Sequence, residues 1–134
     1  MLFIWMQSSY FNPEEIFRLS AYVPYTILLA MGAAFELAHL FEFGVLYLLF
    51  ILLLLSYGSL TRKKERLSFI AAFSYGVIDE VHQMFVPYRS ASVVDLIKNT
   101  IGITVVWYII HQHYFYKTKS VLGEKLRKVT AFSK

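Results

Sequence analysis

Residues 75–102 read YGVIDEVHQMFVPYRSASVVDLIKNTIG and hold Asp79, Glu80, His82, Gln83, Arg89, Asp95, Lys98 and Asn99. Upstream, Glu36, His39 and Glu42 recur at three-residue spacing inside an apolar run. Carboxylates beside an imidazole are the groups of general acid–base chemistry. A guanidinium nearby stabilises a developing oxyanion or grips a phosphate. Asp79, Glu80, His82 and His39 are therefore the catalytic candidates. The same set can hold a polar ligand without reacting, and Arg89, Gln83, Asp95, Asn99 and Glu42 are the candidates for that task. Imidazole with carboxylate also suits zinc or manganese. The HxxE and ExHQ spacings here are weak metal signals, so no metal and no cofactor is assigned. No Ser-His-Asp arrangement and no phosphate-cradling glycine loop is visible. Taken singly, His39 or Asn99 reads equally well as a hydrogen-bond anchor between helices.

The surroundings of these groups are apolar. The chain has 134 residues, 57% of them hydrophobic and 16% charged, against about 25% charged in a soluble domain. The length allows one domain at most. With long apolar runs, the shortfall in charge points to a bilayer. The absence of cysteine excludes disulfides and thiolate chemistry. Nucleic acid is not an expected partner, because the basic residues flank apolar runs and build no separate soluble patch.

Three segments are long enough to cross a hydrocarbon core, which takes about 20 residues. They run from roughly Gly32 to Leu60, Leu67 to Phe85 and Val94 to Tyr116. The expected architecture is an all-α, multi-pass membrane protein with three full transmembrane helices. The connector TRKKER at 61–66 and the basic tail from residue 117 carry ten of the thirteen Lys and Arg. Both are expected on the cytoplasmic side. Two spans separate them, so the parity is consistent, and the loop at 86–93 faces outward. In the tail, Val121, Leu122, Leu126 and Val129 form an apolar stripe suited to anionic lipid. A solvated, partly disordered tail fits the composition as well. His111 and His113 read as residues of the interfacial aromatic belt, and Lys98 as a side chain reaching outward.

Residues 1–31 read as a partial N-terminal span, an outer-surface amphipathic helix, or both. Asn12, Pro13, Glu14 and Glu15 make a helix start, and Ile16, Leu19 and Val23 follow at helical spacing. In an alternative, residues 16–35 form a full span that turns tightly near Glu36. The division is then 1–31, a helix bundle over 32–116, and the tail at 117–134.

This topology places the polar groups at one depth. Glu36, His39 and Glu42 lie near the outer end of the first span, Asp79 to Gln83 near that of the second, and Asp95, Asn99 and Gly102 near that of the third. A charge at mid-bilayer costs about 2.5–3.5 kcal/mol on insertion scales, so such groups are functional candidates. If the three faces meet, they form one pocket.

The stretch DEVHQMFVPYRSASVVDLIKNTIG resembles the VanZ-like family of bacterial membrane proteins through Glu80, Gln83, Phe85, Pro87, Arg89, Asp95, Asn99 and Gly102. HLFEFGVLYLL, with His39, Glu42 and Phe43, extends the resemblance to residues 36–110. Two departures stand out: Tyr88 replaces a usual glycine, and Glu36 stands where relatives are often basic. MQSS looks like the end of the first helix in relatives. The family's founding member is associated with teicoplanin resistance. The resemblance implies an outer-leaflet pocket for a lipid head group, a cell-wall precursor or a lipoglycopeptide antibiotic. The alternative is an intramembrane enzyme acting on an outer-leaflet lipid or envelope component through Glu80 and His82. Membrane lipids or envelope precursors are the expected partners, and the oligomeric state is not set.

Overall fold

A computed structural model describes residues 22–87, 91–117 and 119–131. Its elements are α1 (Tyr25–Ser56), α2 (Arg62–Gln83), α3 (Val93–His111), a π-helical turn (Gln112–Tyr116) and α4 (Val121–Ala131). No strand occurs among the described residues. The expected helix start at Asn12 and the N-terminal partial span lie outside them.

The helix boundaries follow local chemistry. Pro24 precedes α1, and its carbonyl accepts from the Ile27 N–H at 2.9 Å. Beyond it, nothing breaks the helix until Ser56: there is no proline, and glycine occurs only at 32 and 44. The alternative with a turn near Glu36 is thereby overturned. α1 has 32 residues, about 48 Å at 1.5 Å per residue, more than a hydrocarbon core of about 30 Å. It stops at Tyr57–Gly58, where Gly58 has φ 117°, a left-handed conformation that favours glycine. Lys64 Nζ then donates to the carbonyls of Leu54, Gly58 and Ser59 at 3.2–3.4 Å. Thr61 caps α2 by accepting from the Lys64 N–H at 3.2 Å. The basic run expected as a connector is therefore mostly the first turn of α2, because Lys, Arg and Glu are good helix formers. Ser92 caps α3 in the same way, accepting from the Asp95 N–H at 3.3 Å.

Two of the described helical segments are long and apolar enough to cross a membrane, Leu37–Ser56 and Val93–Tyr116. Three were expected, and α2 is the one that differs. Charge occupies both its ends, and its apolar centre at 67–78 covers only about 18 Å. The buried face of α2 is made of Glu65, Ser68, Ala72, Gly76, Asp79, Glu80 and Gln83. Leu67, Ile70, Phe73, Val77, Ile78 and Val81 point outward. Small and polar residues inside with large apolar ones outside invert the arrangement of a water-soluble helix. Hydrocarbon surroundings account for it, since helices in lipid associate through small and polar faces.

The core is a stripe on α1, Phe43, Tyr47, Ile51 and Leu55, packed against Ala72 of α2 and Ile103 and Ile110 of α3. α1 lies most extensively on α3, and α2 packs on both. α1 and α3 approach closely at two glycines. A methyl group on Gly44 would lie 2.8 Å from Val106 Cγ2 and 3.1 Å from the Gly102 carbonyl oxygen, and one on Gly102 would collide with the Leu40 carbonyl oxygen. The tail folds back as α4, with Leu126 buried, Val129 packed against the core and Val121 exposed. Leu126 and Val129 of the anticipated stripe thus meet protein, and a disordered tail is overturned for residues 121–131.

Gly102→Val should lower the unfolding temperature in detergent, because overpacking costs about 1–3 kcal/mol. Ile101→Val, on the outward face, should leave stability within about 0.5 kcal/mol. Equal melting of both variants would contradict the close helix approach.

Candidate functional site

The last turns of α2, the first turns of α3 and the middle of α1 come together at one end of the bundle. α2 delivers Asp79, Glu80 and Gln83 on its inner face because these positions continue the buried i, i+3, i+4 row through Gly76. Asp79 is fully buried and Glu80 is 5% exposed. Gln83 Nε2 donates to Asp79 Oδ2 at 2.9 Å, one turn away on the same helix. The Ser92 N–H donates to Glu80 Oε2 at 2.8 Å, tying the start of α3 to the end of α2.

α1 contributes His39, held edge-on against Phe43 with ring centroids 5.3 Å apart. Its Nδ1 lies 3.6 Å from Glu42 Oε2 and its Nε2 lies 3.9 Å from Asp79 Oδ2. The imidazole thus stands between two carboxylates on different helices. Asn99 of α3 is 1% exposed, and neither its Oδ1 nor its Nδ2 has a hydrogen-bond partner among the described residues. A Cβ on Gly76 would lie 3.7 Å from Asn99 Cβ and 3.3 Å from Phe43 Cε1. Phe43, Gly76 and Asn99 therefore form the layer beneath His39 and Asp79. One ligand atom each from His39, Asp79 and Glu80 fall within 4.8 Å of one another.

Of the residues singled out in the sequence, His39, Glu42, Asp79, Glu80 and Gln83 are brought together, with Asn99 one layer below. Asp95 turns to Lys98, with its Oδ1 3.1 Å from Nζ. Lys98 therefore folds back along α3 toward its Ser92 end, the end expected to face outward. His82 is half-buried on the last turn of α2. Arg89 and the side chain of Glu36 lie outside the described residues.

The sequence model of the VanZ/LLP1 family matches residues 2–116. The chain belongs to the VanZ/LLP1 family. No curated protein and no solved structure matches it. The VanZ/LLP1 stretch spans the whole polar cluster and ends with the π-helical turn, leaving α4 beyond it.

Near that boundary the VanZ/LLP1 bundle has a second buried polar group, at the opposite end. Arg62 Nη1 donates to His111 Nε2 at 3.2 Å. Arginine only donates, so Nδ1 carries the ring hydrogen, and it donates to Glu65 at 2.8 Å and 3.0 Å from the two carboxylate oxygens. Arg62 also stacks over Phe115, 4.8 Å from the ring centroid, and donates to the Tyr116 hydroxyl. His111 is thus a link between α2 and α3 and not a free belt residue. Glu65, as the single acidic residue in TRKKER, was the one signal for this pairing.

Glu65 is 2% exposed, and removing an acceptor from a charged, buried hydrogen bond costs about 1.5–3 kcal/mol. Glu65→Ala should lower the midpoint of thermal unfolding in detergent accordingly. An unchanged midpoint would show that the α2–α3 link carries no stability.

Proposed function

We propose that the chain is a multi-pass membrane protein whose polar cluster binds the head of an amphiphile in the outer leaflet. Candidate ligands are a membrane lipid, a cell-wall precursor or a lipoglycopeptide antibiotic. The orientation follows charge. Arg62, Lys63, Lys64 and Arg66 share one end of the bundle with the basic tail, and that end is cytoplasmic by the positive-inside rule. The cluster of His39, Asp79 and Glu80 is then at the outer end. In this reading α2 is the third span, with its carboxylates Glu65, Asp79 and Glu80 turned to neighbouring helices and its basic residues at the cytoplasmic end.

The observation that carries the proposal is an apolar groove of about 380 Å³ on α3 and α2. Val93 starts the groove, directly after the Ser92 that donates to Glu80. It continues over Ile97, Thr100, Ile101 and Thr104 of α3 and Phe73 of α2. Its two threonines are effectively apolar. Thr100 Oγ1 donates to the Leu96 carbonyl at 2.8 Å and Thr104 Oγ1 to the Thr100 carbonyl at 2.7 Å, which leaves their methyl groups to line the wall. From residue 93 to 105 the groove extends about 18 Å, near the roughly 15 Å depth of one leaflet's hydrocarbon. A head in the cluster and a chain in the groove suit an amphiphile. The carboxylates are acceptors when ionised, so the described part of the cluster favours a head rich in N–H or O–H donors. Arg89 is the expected clamp for an anionic portion. The family resemblance extends this reading to teicoplanin-type resistance.

A second reading, an intramembrane enzyme, has one observation in its favour: His39 lies between Glu42 and Asp79, as a proton carrier would. The substrate would be an outer-leaflet lipid or envelope component, with Glu80 and His82 as further acid–base groups.

The test is titration of the protein in nanodiscs with teicoplanin, its deacylated form and a polyprenyl-linked cell-wall precursor. Binding of an acylated ligand should weaken at least 10-fold in Arg89→Ala, in Glu80→Gln and in the groove-filling Thr100→Phe. No binding, or binding indifferent to all three substitutions, would sink the proposal. Comparing envelope lipids of cells with and without the protein separates the second reading, since an enzyme leaves a product that Asp79→Asn abolishes.

A further inference from the structure

We propose that His39, Asp79 and Glu80 hold one divalent transition-metal cation, with Asn99 beside it. The inference adds an ion to the pocket and stands whether or not an amphiphile binds there.

Three observations meet at this point. The first is the donor set. One imidazole and two carboxylates present atoms within 4.8 Å of one another. Zinc-type bonds of about 2.1 Å put neighbouring ligand atoms about 3.4 Å apart at the tetrahedral angle, so small side-chain rotations close the site. Two carboxylates also balance the charge of a divalent ion, which matters where water is scarce.

The second observation is that every donor is already oriented. Metal-bound histidines commonly give their other ring N–H to a carboxylate, and ligating carboxylates are themselves hydrogen-bonded. Here His39 turns Nε2 toward Asp79 and Nδ1 toward Glu42. Gln83 donates to Asp79, and the Ser92 N–H donates to Glu80. Glu42, Gln83 and Ser92 are positioning residues in this scheme.

The third observation is Asn99. Its buried amide has no partner among the described residues, which is costly unless something else satisfies it. It packs against Gly76, one turn below Asp79. A Cα–Cβ bond tilts toward the N-terminus of its helix. For Asn99 that direction runs toward Ser92, whose N–H binds Glu80, and its Nδ2 lies 3.8 Å from the Cβ position of Gly76, one turn from Asp79 and Glu80. Its oxygen can ligate the ion or accept from a water on it. Mixed nitrogen and oxygen ligation favours zinc or manganese over calcium and magnesium. The local sequence spacing does not reveal the site, because its three donors come from α1 and α2 and its fourth group from α3.

The experiment uses the full chain purified in detergent, with Zn²⁺ and Co²⁺ as probes. After dialysis against Zn²⁺ and gel filtration, elemental analysis should find about one zinc per chain. Co²⁺ should give visible absorption bands of a low-coordinate site with a nitrogen ligand. His39→Ala and Asp79→Asn should lose the metal. Glu42→Gln should weaken it about 10–100-fold, as for other partners that orient a ligand. Wild-type protein that retains no zinc and gives no cobalt bands overturns the proposal without reference to any variant. So does equal retention by wild type and by a His39→Ala protein that melts at the same temperature. Repeating the amphiphile titration after chelation separates the two ideas: binding that survives in metal-free protein leaves the amphiphile reading intact whatever the zinc result.

Discussion

The polar cluster depends on how closely three helices approach one another without side chains in the way. Gly44 and Gly102 let α1 and α3 touch backbone to backbone, and a Cβ at Gly102 would meet the Leu40 carbonyl. Gly76 of α2 instead leaves room for side chains, those of Asn99 and Phe43. Leu40 adjoins His39, Gly76 is one turn from Asp79 and Glu80, and Gly102 is one turn from Asn99. The contacts that bring the helices together are thus one step away from the groups they assemble. A larger residue at any of the three would spread the donors apart before it touched any of them.

Lipid makes this arrangement economical. In water, burying Asp79, Glu80 and Asn99 while Ile70, Val77, Ile78 and Val81 face out would cost twice over. In hydrocarbon, the outward residues are at home, and polar groups gain by meeting one another. Both ends of α2 follow the same rule. Glu65 finds His111 at one end, and Asp79 meets Gln83 and approaches His39 at the other. α2 is therefore the ionic spine of the bundle, clamped by two apolar helices. That role also explains why its composition falls short of an independent membrane span.

Much of this was legible from residue order. The level at which His39, Asp79, Glu80 and Asn99 would meet followed from span lengths and the basic ends, and helical spacing gave Asp79–Gln83. The misreadings have a common cause: long-range contacts. His111 read as a belt residue because its partner, Glu65, is 46 positions away. The tail read as lipid-facing or disordered because nothing local shows that Leu126 has a core to enter. α2 does not stand out as a span by composition alone, because charges at both ends shorten its apolar centre. The glycine crossings went unnoticed because a glycine in an apolar run carries no mark of what approaches it.

The convergence of α2 and α3 can be measured directly, because the natural chain has no cysteine. A Cβ on Gly76 would stand 3.7 Å from that of Asn99, inside the range of about 3.5–4.5 Å that a disulfide spans. Gly76→Cys combined with Asn99→Cys should cross-link on mild oxidation in native membranes, protecting both thiols from a maleimide label. Gly76→Cys with Ile101→Cys, which faces outward, should form no cross-link and should label fully when the maleimide is added after denaturation. If the first pair labels as freely as the second, the two polar faces do not meet and the pocket described above does not exist.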